Sequence, residues 1–138
     1  MGKRTEAVLI GAAVAIVLHL LSYLHIPFIG FFSVLIGGFT AGYITKMGVG
    51  KGAINGLLAG LLAGIVTGII AIYIVFTTPL PPNLLEMLPP EMSSEEFIRF
   101  YYMFAVIFNL LFGALFGILL GLIGGLIGGA VAVREEIT

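Results

Sequence analysis

The sequence predicts an all-α fold: a polytopic membrane protein built as a bundle of four transmembrane helices with glycine-zipper packing. Three observations lead there. The 138-residue chain is 60% hydrophobic and 9% charged, with a mean hydropathy of +1.22, whereas soluble domains average about 25% charged residues. Four apolar stretches are each long enough to cross a hydrocarbon layer of ~30 Å. Glycines also recur every fourth residue, at Gly48, Gly52, Gly56, Gly60, Gly64 and Gly68 and again at Gly113, Gly117, Gly121, Gly125 and Gly129. Residues four apart stack on one helix face. Each row is therefore a stripe without side chains, the small-xxx-small device by which membrane helices approach closely.

The chain reads as a single membrane domain over 1–138. Its first helix is expected from about Thr5 to Leu24. Lys3 and Arg4 followed by an apolar run have the outline of a signal peptide, but the run continues to Leu24 without a small-residue cleavage site, so an uncleaved helix is expected. Glu6 stands where myristoylation needs Ser or Thr. A tight turn, Tyr23 to Pro27, leads into a second helix from Pro27 to Thr45, opened by a proline suited to a first helical position. A basic turn, Lys46 to Gly52, leads into a third helix from about Ala53 to Phe76.

An outer loop, 77–94, holds prolines at 79, 81, 82, 89 and 90, and its Asn83–Leu88 segment suits one helical turn on the membrane surface. Ser93-Ser94-Glu95-Glu96 reads as a capping box with Ser93 as N-cap. The fourth helix, from about Glu95 to Val133, would measure ~58 Å if straight. It is expected to project at its N-terminal end, where Glu95, Glu96 and Arg99 lie, rather than to tilt or break.

Lys3, Arg4, Lys46, Lys51 and Arg134 fall on one side of a four-span chain, and Arg99 on the other. The bias of basic residues toward the cytoplasm then puts both termini inside, and the expected location is a prokaryotic cytoplasmic membrane.

A row at spacing four drifts ~40° around the helix per glycine, so one straight neighbour cannot use a whole row. The expected packing residues are Gly56, Gly60, Gly64 and Gly68 on the third helix and Gly113, Gly117, Gly121 and Gly125 on the fourth. Phe100, Phe104, Phe108, Phe112 and Phe116 form a bulky ridge beside the second row. Phe112 and Phe116 are expected to enter the groove at Gly64 and Gly68, with exposure of the ridge to lipid as the alternative. The first helix has a weaker small row at Ala7, Gly11 and Ala15, continued by His19, and the second has Gly38 and Gly42. Ile36–Gly42 echoes Ile123–Gly129, the pattern of a parallel internal repeat. Because four helices have limited mutual surface, part of the rows is expected between subunits. The expected partners besides the lipid bilayer are further copies of the chain or another membrane protein.

Chemistry is sparse. The sequence has no Asp, and no Glu, Lys or Arg lies centrally in a span, which disfavours ion-coupled transport, since that relies on intramembrane charge. The polar intramembrane candidates are His19, Thr40, Thr67 and Asn109. His19 reads as a neutral histidine bonded to a neighbouring helix or, more sharply, as a proton relay or metal ligand. Asn109 reads as a cross-helix packing contact or as a pore lining with Thr67 or Thr40, and Asn55, at the start of the third helix, could likewise bond to a neighbour. No zinc-type ligand spacing occurs, and cysteine is absent. Gly48-Val49-Gly50-Lys51-Gly52 lacks the spacing and the Ser/Thr of a phosphate loop. With no nucleophile–base pair, neither enzyme activity nor a cofactor is expected. A net charge of −1 gives no basic patch for nucleic acid.

Ile36-Gly37-Gly38-Phe39-Thr40-Ala41-Gly42-Tyr43, a basic glycine turn, then Gly52-Ala53-Ile54-Asn55-Gly56-Leu57-Leu58-Ala59-Gly60 resembles a family of small, glycine-rich archaeal membrane proteins of unknown function. The resemblance covers roughly residues 26 to 70. It implies a four-span prokaryotic membrane protein and brings no activity or site residues. Small multidrug carriers are of similar size, but their essential first-helix carboxylate has no counterpart here. The expectation is a structural or accessory membrane subunit, with a passive pore for a small solute or ion as the alternative.

Overall fold

In a computed structural model of the chain, residues 2–24, 27–80, 82–86 and 94–137 are described. They form α1 (Lys3–Ser22), α2 (Pro27–Thr45), α3 (Val49–Thr77), the single turn α4 (Pro82–Glu86) and α5 (Ser94–Ile137). The fold is all-α. Helices α1, α3 and α5 are long and apolar enough to cross a membrane, and α2 adds a shorter apolar helix over Ile29–Thr45. The centre of the turn before Pro27, the proposed cap at Ser93, and Met87 and Leu88 of the surface turn lie outside the described residues.

Helix α3 starts at Val49 rather than near Ala53, because the reversal after α2 takes only three residues. Lys46 (φ 48°) and Gly48 (φ 92°) both enter the left-handed region, which glycine adopts without steric cost. The glycines that follow have weak helix propensity, yet Gly52 is helical and buried because it packs on α5: a Cβ there would come within 2.8 Å of the Gly129 Cα. Tertiary contact overrides propensity at this point.

Helix α5 is continuous over 44 residues, or ~66 Å. It neither breaks nor stops level with α3. Its Gly113–Gly129 stretch runs antiparallel along Gly64–Gly48, and Tyr102 stacks on Phe76 near the end of α3, ring centroids 4.5 Å apart. Helix α5 therefore overhangs α3 at both ends, not only at its N-terminal end.

Helices α2 and α3 form the middle of the bundle, with α1 packed on one side of the pair and α5 on the other. The contacts are made by backbone. A Cβ on Gly60 would lie 2.8 Å from the Gly121 Cα and nearer still to the Gly117 carbonyl oxygen; one on Gly56 would collide with Gly121 and Gly125, and one on Gly64 with Gly113. Gly68 faces the Asn109 backbone, where an added Cβ would lie 2.8 Å from the carbonyl oxygen. Helix α2 uses the same α5 glycines from another side, since a Cβ on Gly38 would come within 2.7 Å of the Gly121 Cα and one on Gly42 within 2.9 Å of the Gly125 Cα. Neighbouring residues on a helix point ~100° apart. So in Gly124-Gly125 and Gly128-Gly129 the first glycine of each pair meets α2 and the second meets α3. The drifting row serves two neighbours within one chain.

This packing leaves no room for the phenylalanine ridge in the groove. The Gly113 backbone and the Asn109 backbone already fill the space at Gly64 and Gly68. Phe100, Phe104, Phe108, Phe112 and Phe116 instead point outward, about half exposed, and stack on one another along α5, as in the Phe108–Phe112 pair at 4.2 Å between centroids. Among the described residues the buried apolar side chains are nearly all alanines, Ala7, Ala12, Ala15, Ala41, Ala59, Ala63, Ala105 and Ala132, with Val34. Small residues inside and large ones outside reverse the order of a water-soluble core and match helix association in lipid.

Candidate functional site

Polar side chains gather at two levels of the bundle. At the end where α1 and α3 begin, Asn55 is 1% exposed because it occupies the small-residue face of α3, beside Gly56 and one turn before Ala59. The Arg4 Nε donates to Asn55 Oδ1 (2.9 Å), and Asn55 Nδ2 donates to Thr45 Oγ1 (2.7 Å). Thr45 in turn donates to the Ala41 carbonyl (2.6 Å). The chain of bonds joins α1, α2 and α3, and it meets the requirement that buried polar groups be paired. Arg4 also lines a cleft of about 280 Å³ with Met47, Lys51 and Ile54. Nearby, the Tyr43 hydroxyl donates to Glu135 Oε2 (2.7 Å), tying the end of α2 to that of α5.

At the opposite end a cavity of about 170 Å³ is bordered by all four long helices: His19 from α1, Val34 from α2, Thr67 from α3, and Gly117 and Leu120 from α5 among others. His19 Nδ1 is buried and has no hydrogen-bond partner among the described residues. The ring meets Tyr23 edge-on at 5.7 Å, and Ser22 Oγ donates to the His19 carbonyl. Thr67 is buried and donates to the Gly64 carbonyl (3.3 Å). The cavity is open at its rim, where Phe31 and Phe116 stand half exposed.

His19 and Thr67 are thus brought together, and the other two polar candidates are not. Thr40 donates to the Ile36 carbonyl and Asn109 Nδ2 to the Ala105 carbonyl (2.8 Å), each within its own helix as Thr67 does, but neither borders the cavity. Between the two polar levels, α3 rises ~18 Å from Asn55 to Thr67, and that interval holds the Gly56, Gly60 and Gly64 contacts with α5. The sequence points to Asn55 as a cross-helix donor, but it carries no signal for Arg4 and Thr45 as its partners, because their meeting depends on how three helices align. Among the described residues no group of three His, Cys, Asp or Glu side chains is placed to hold a metal ion.

Since His19 Nδ1 is buried with no hydrogen-bond partner among the described residues, His19→Leu should leave unfolding in detergent unchanged or stabilise it by about 1 kcal/mol, as relief of an unsatisfied buried group. Chemical unfolding of the two proteins side by side checks this. Destabilisation by more than about 1 kcal/mol would mean that the imidazole is bonded in the folded protein.

A model of the DUF5518 family, described as a family of unknown function, matches residues 5–131. No curated protein and no solved structure matches the chain.

Proposed function

The chain belongs to DUF5518, a family of unknown function, and we propose from its own geometry that it is a structural or accessory membrane subunit closed by glycine-zipper packing. The observation that carries this reading is the backbone-to-backbone seal at Gly56, Gly60, Gly117 and Gly121, which stands between the two polar levels. A pore needs a continuous polar route, and among the described residues none links His19 and Thr67 to Asn55 and Arg4. Thr40 and Asn109, which could have lined such a route, bond back to their own helices.

The glycine rows are used inside the chain, and among the exposed apolar faces of the bundle the partner contact falls on the ridge Phe100 to Phe116 of α5, whose rings stack in a continuous row. Its occupant is another membrane helix, from a second copy of the chain or from a different membrane protein. The basic end, with Lys3, Arg4, Lys46, Lys51 and Arg134, faces the cytoplasm on the bias of basic residues.

Two measurements test the reading together. Vesicles containing the purified protein should release trapped ions and small solutes no faster than protein-free vesicles. A photo-crosslinking residue at Phe104 or Phe112 in native membranes should give one discrete heavier species, whose mass tells a second copy from a different protein. Solute release that changes with Thr67→Val, and no discrete crosslink from the ridge, would overturn the accessory reading in favour of permeation.

A further inference from the structure

Two cations and two apolar side chains border one cleft at the end where α1 and α3 begin. Arg4 comes from the first turn of α1, Met47 from the reversal after α2, and Lys51 and Ile54 from the first turns of α3. The volume is about 280 Å³. Arg4 is not a freely waving surface residue. Its Nε is held by Asn55 Oδ1 at 2.9 Å, and Asn55 is itself 1% exposed and anchored to Thr45. The guanidinium is therefore fixed at the wall of the cleft. A guanidinium has five N–H donors, and among the described residues Asn55 is the acceptor for one of them. Lys51 is exposed on the same wall. Among the described residues no carboxylate borders the cleft. The positive ends of the α1 and α3 dipoles add to the same field.

Met47 and Ile54 make up the rest of the lining and are about half exposed, 50% and 49%. They continue the apolar surface of the bundle into the cleft. The site thus pairs two positive charges with apolar walls at the end of membrane-length helices, where a bilayer spanned by those helices would place its headgroups. We propose that this cleft binds the phosphodiester of an anionic membrane phospholipid. Arg4 forks onto the phosphate oxygens, a geometry guanidinium favours. Lys51 supplies a second point charge, and Met47 and Ile54 lie along the glycerol and first methylenes. A free inorganic phosphate would gain nothing from the apolar walls, and a choline headgroup would bring its own cation toward Arg4 and Lys51. The inference holds whether or not α5 meets a partner.

The experiment is native mass spectrometry of the full chain in mild detergent, titrated in turn with phosphatidylglycerol and phosphatidylcholine. Each cation near a membrane surface is worth about fivefold in binding of an anionic lipid, so phosphatidylglycerol should be retained about 25-fold better. Lys51→Gln should reduce that preference about fivefold, and Arg4→Gln at least as much. Lys51→Gln leaves the Asn55 bonds intact and so reads the site without disturbing the fold. Lys3→Gln, outside the cleft, should change nothing. Equal retention of the two lipids, or a Lys51→Gln protein that binds as the parent does, overturns the proposal. Displacement of the lipid by millimolar inorganic phosphate would reassign the cleft to the free ion and overturn the lipid assignment.

Discussion

Gly60→Val should destabilise the bundle at or above the top of the ~1–3 kcal/mol range for overpacked sites. The atoms that a Cβ at Gly60 would strike are the Gly117 carbonyl and the Gly121 Cα, both backbone. Backbone cannot rotate away as a side chain can, so α3 and α5 must separate. Separation would then propagate, because the same helices touch at Gly56, Gly64, Gly113 and Gly125, and because Gly121 is also shared with Gly38 of α2. One added side chain thus loosens two interfaces. Gly60→Ala should show the same effect in reduced form.

Gly50→Ala is the matched control. A Cβ there meets nothing within 4 Å, and replacing glycine at a compatible helical site stabilises by about 0.4–1 kcal/mol. Pulse proteolysis across a series of SDS mole fractions would rank the three variants against the parent protein. If Gly60→Val and Gly50→Ala unfold at the same SDS fraction, close backbone contact at Gly60 does not hold the helices together.

Spacing carried most of the architecture. Apolar length locates the three long helices and the shorter α2, and the fourfold recurrence of glycine marks the faces of α3 and α5 that touch. It could not say which element would fill the groove. Phe112 and Gly113 are adjacent in sequence and differ by ~100° in direction, so the choice between ridge and groove turns on a rotation of α5 that spacing leaves free. The structure takes the rotation that puts glycine on glycine, and it leaves the rings outside. The start of α3 was hidden for a related reason: Gly48, Gly50 and Gly52 look like a flexible turn by propensity, and the packing of Gly48, Val49 and Gly52 against Gly125 and Gly129 of α5 is a tertiary contact that propensity does not register.

The polar residues were less legible still. Thr40, Thr67 and Asn109 all close bonds within their own helices, but of the three Thr67 alone borders the cavity with His19. Local bonding of this kind competes with any longer-range role, and nothing in residue type reveals the outcome. The Arg4 cleft is fainter again, because its four lining residues come from three parts of the chain.

Asn55→Ala should destabilise the bundle by about 2 kcal/mol, within the ~1–3 kcal/mol penalty for breaking buried hydrogen bonds. The loss falls unevenly among its partners. Arg4 is exposed enough for water to replace its acceptor, so that bond contributes the smaller part. The Thr45 hydroxyl still donates to the Ala41 carbonyl. The larger part is the cavity left at a site that is 1% exposed. Thr45→Val acts through the opposite partner: it strands the Asn55 amide N–H inside the bundle and should cost ~1–3 kcal/mol. In Asn55→Ala that stranded donor does not exist, so the double variant should be less damaged than the two losses added together, by roughly 1 kcal/mol, in the range found for residues in one network. Strict additivity in SDS unfolding would mean that Asn55 and Thr45 act independently. The same variant separates stability from lipid retention, since Asn55→Ala frees the Arg4 guanidinium without removing its charge: phosphatidylglycerol binding should weaken less than in Arg4→Gln even though the fold is more strongly destabilised.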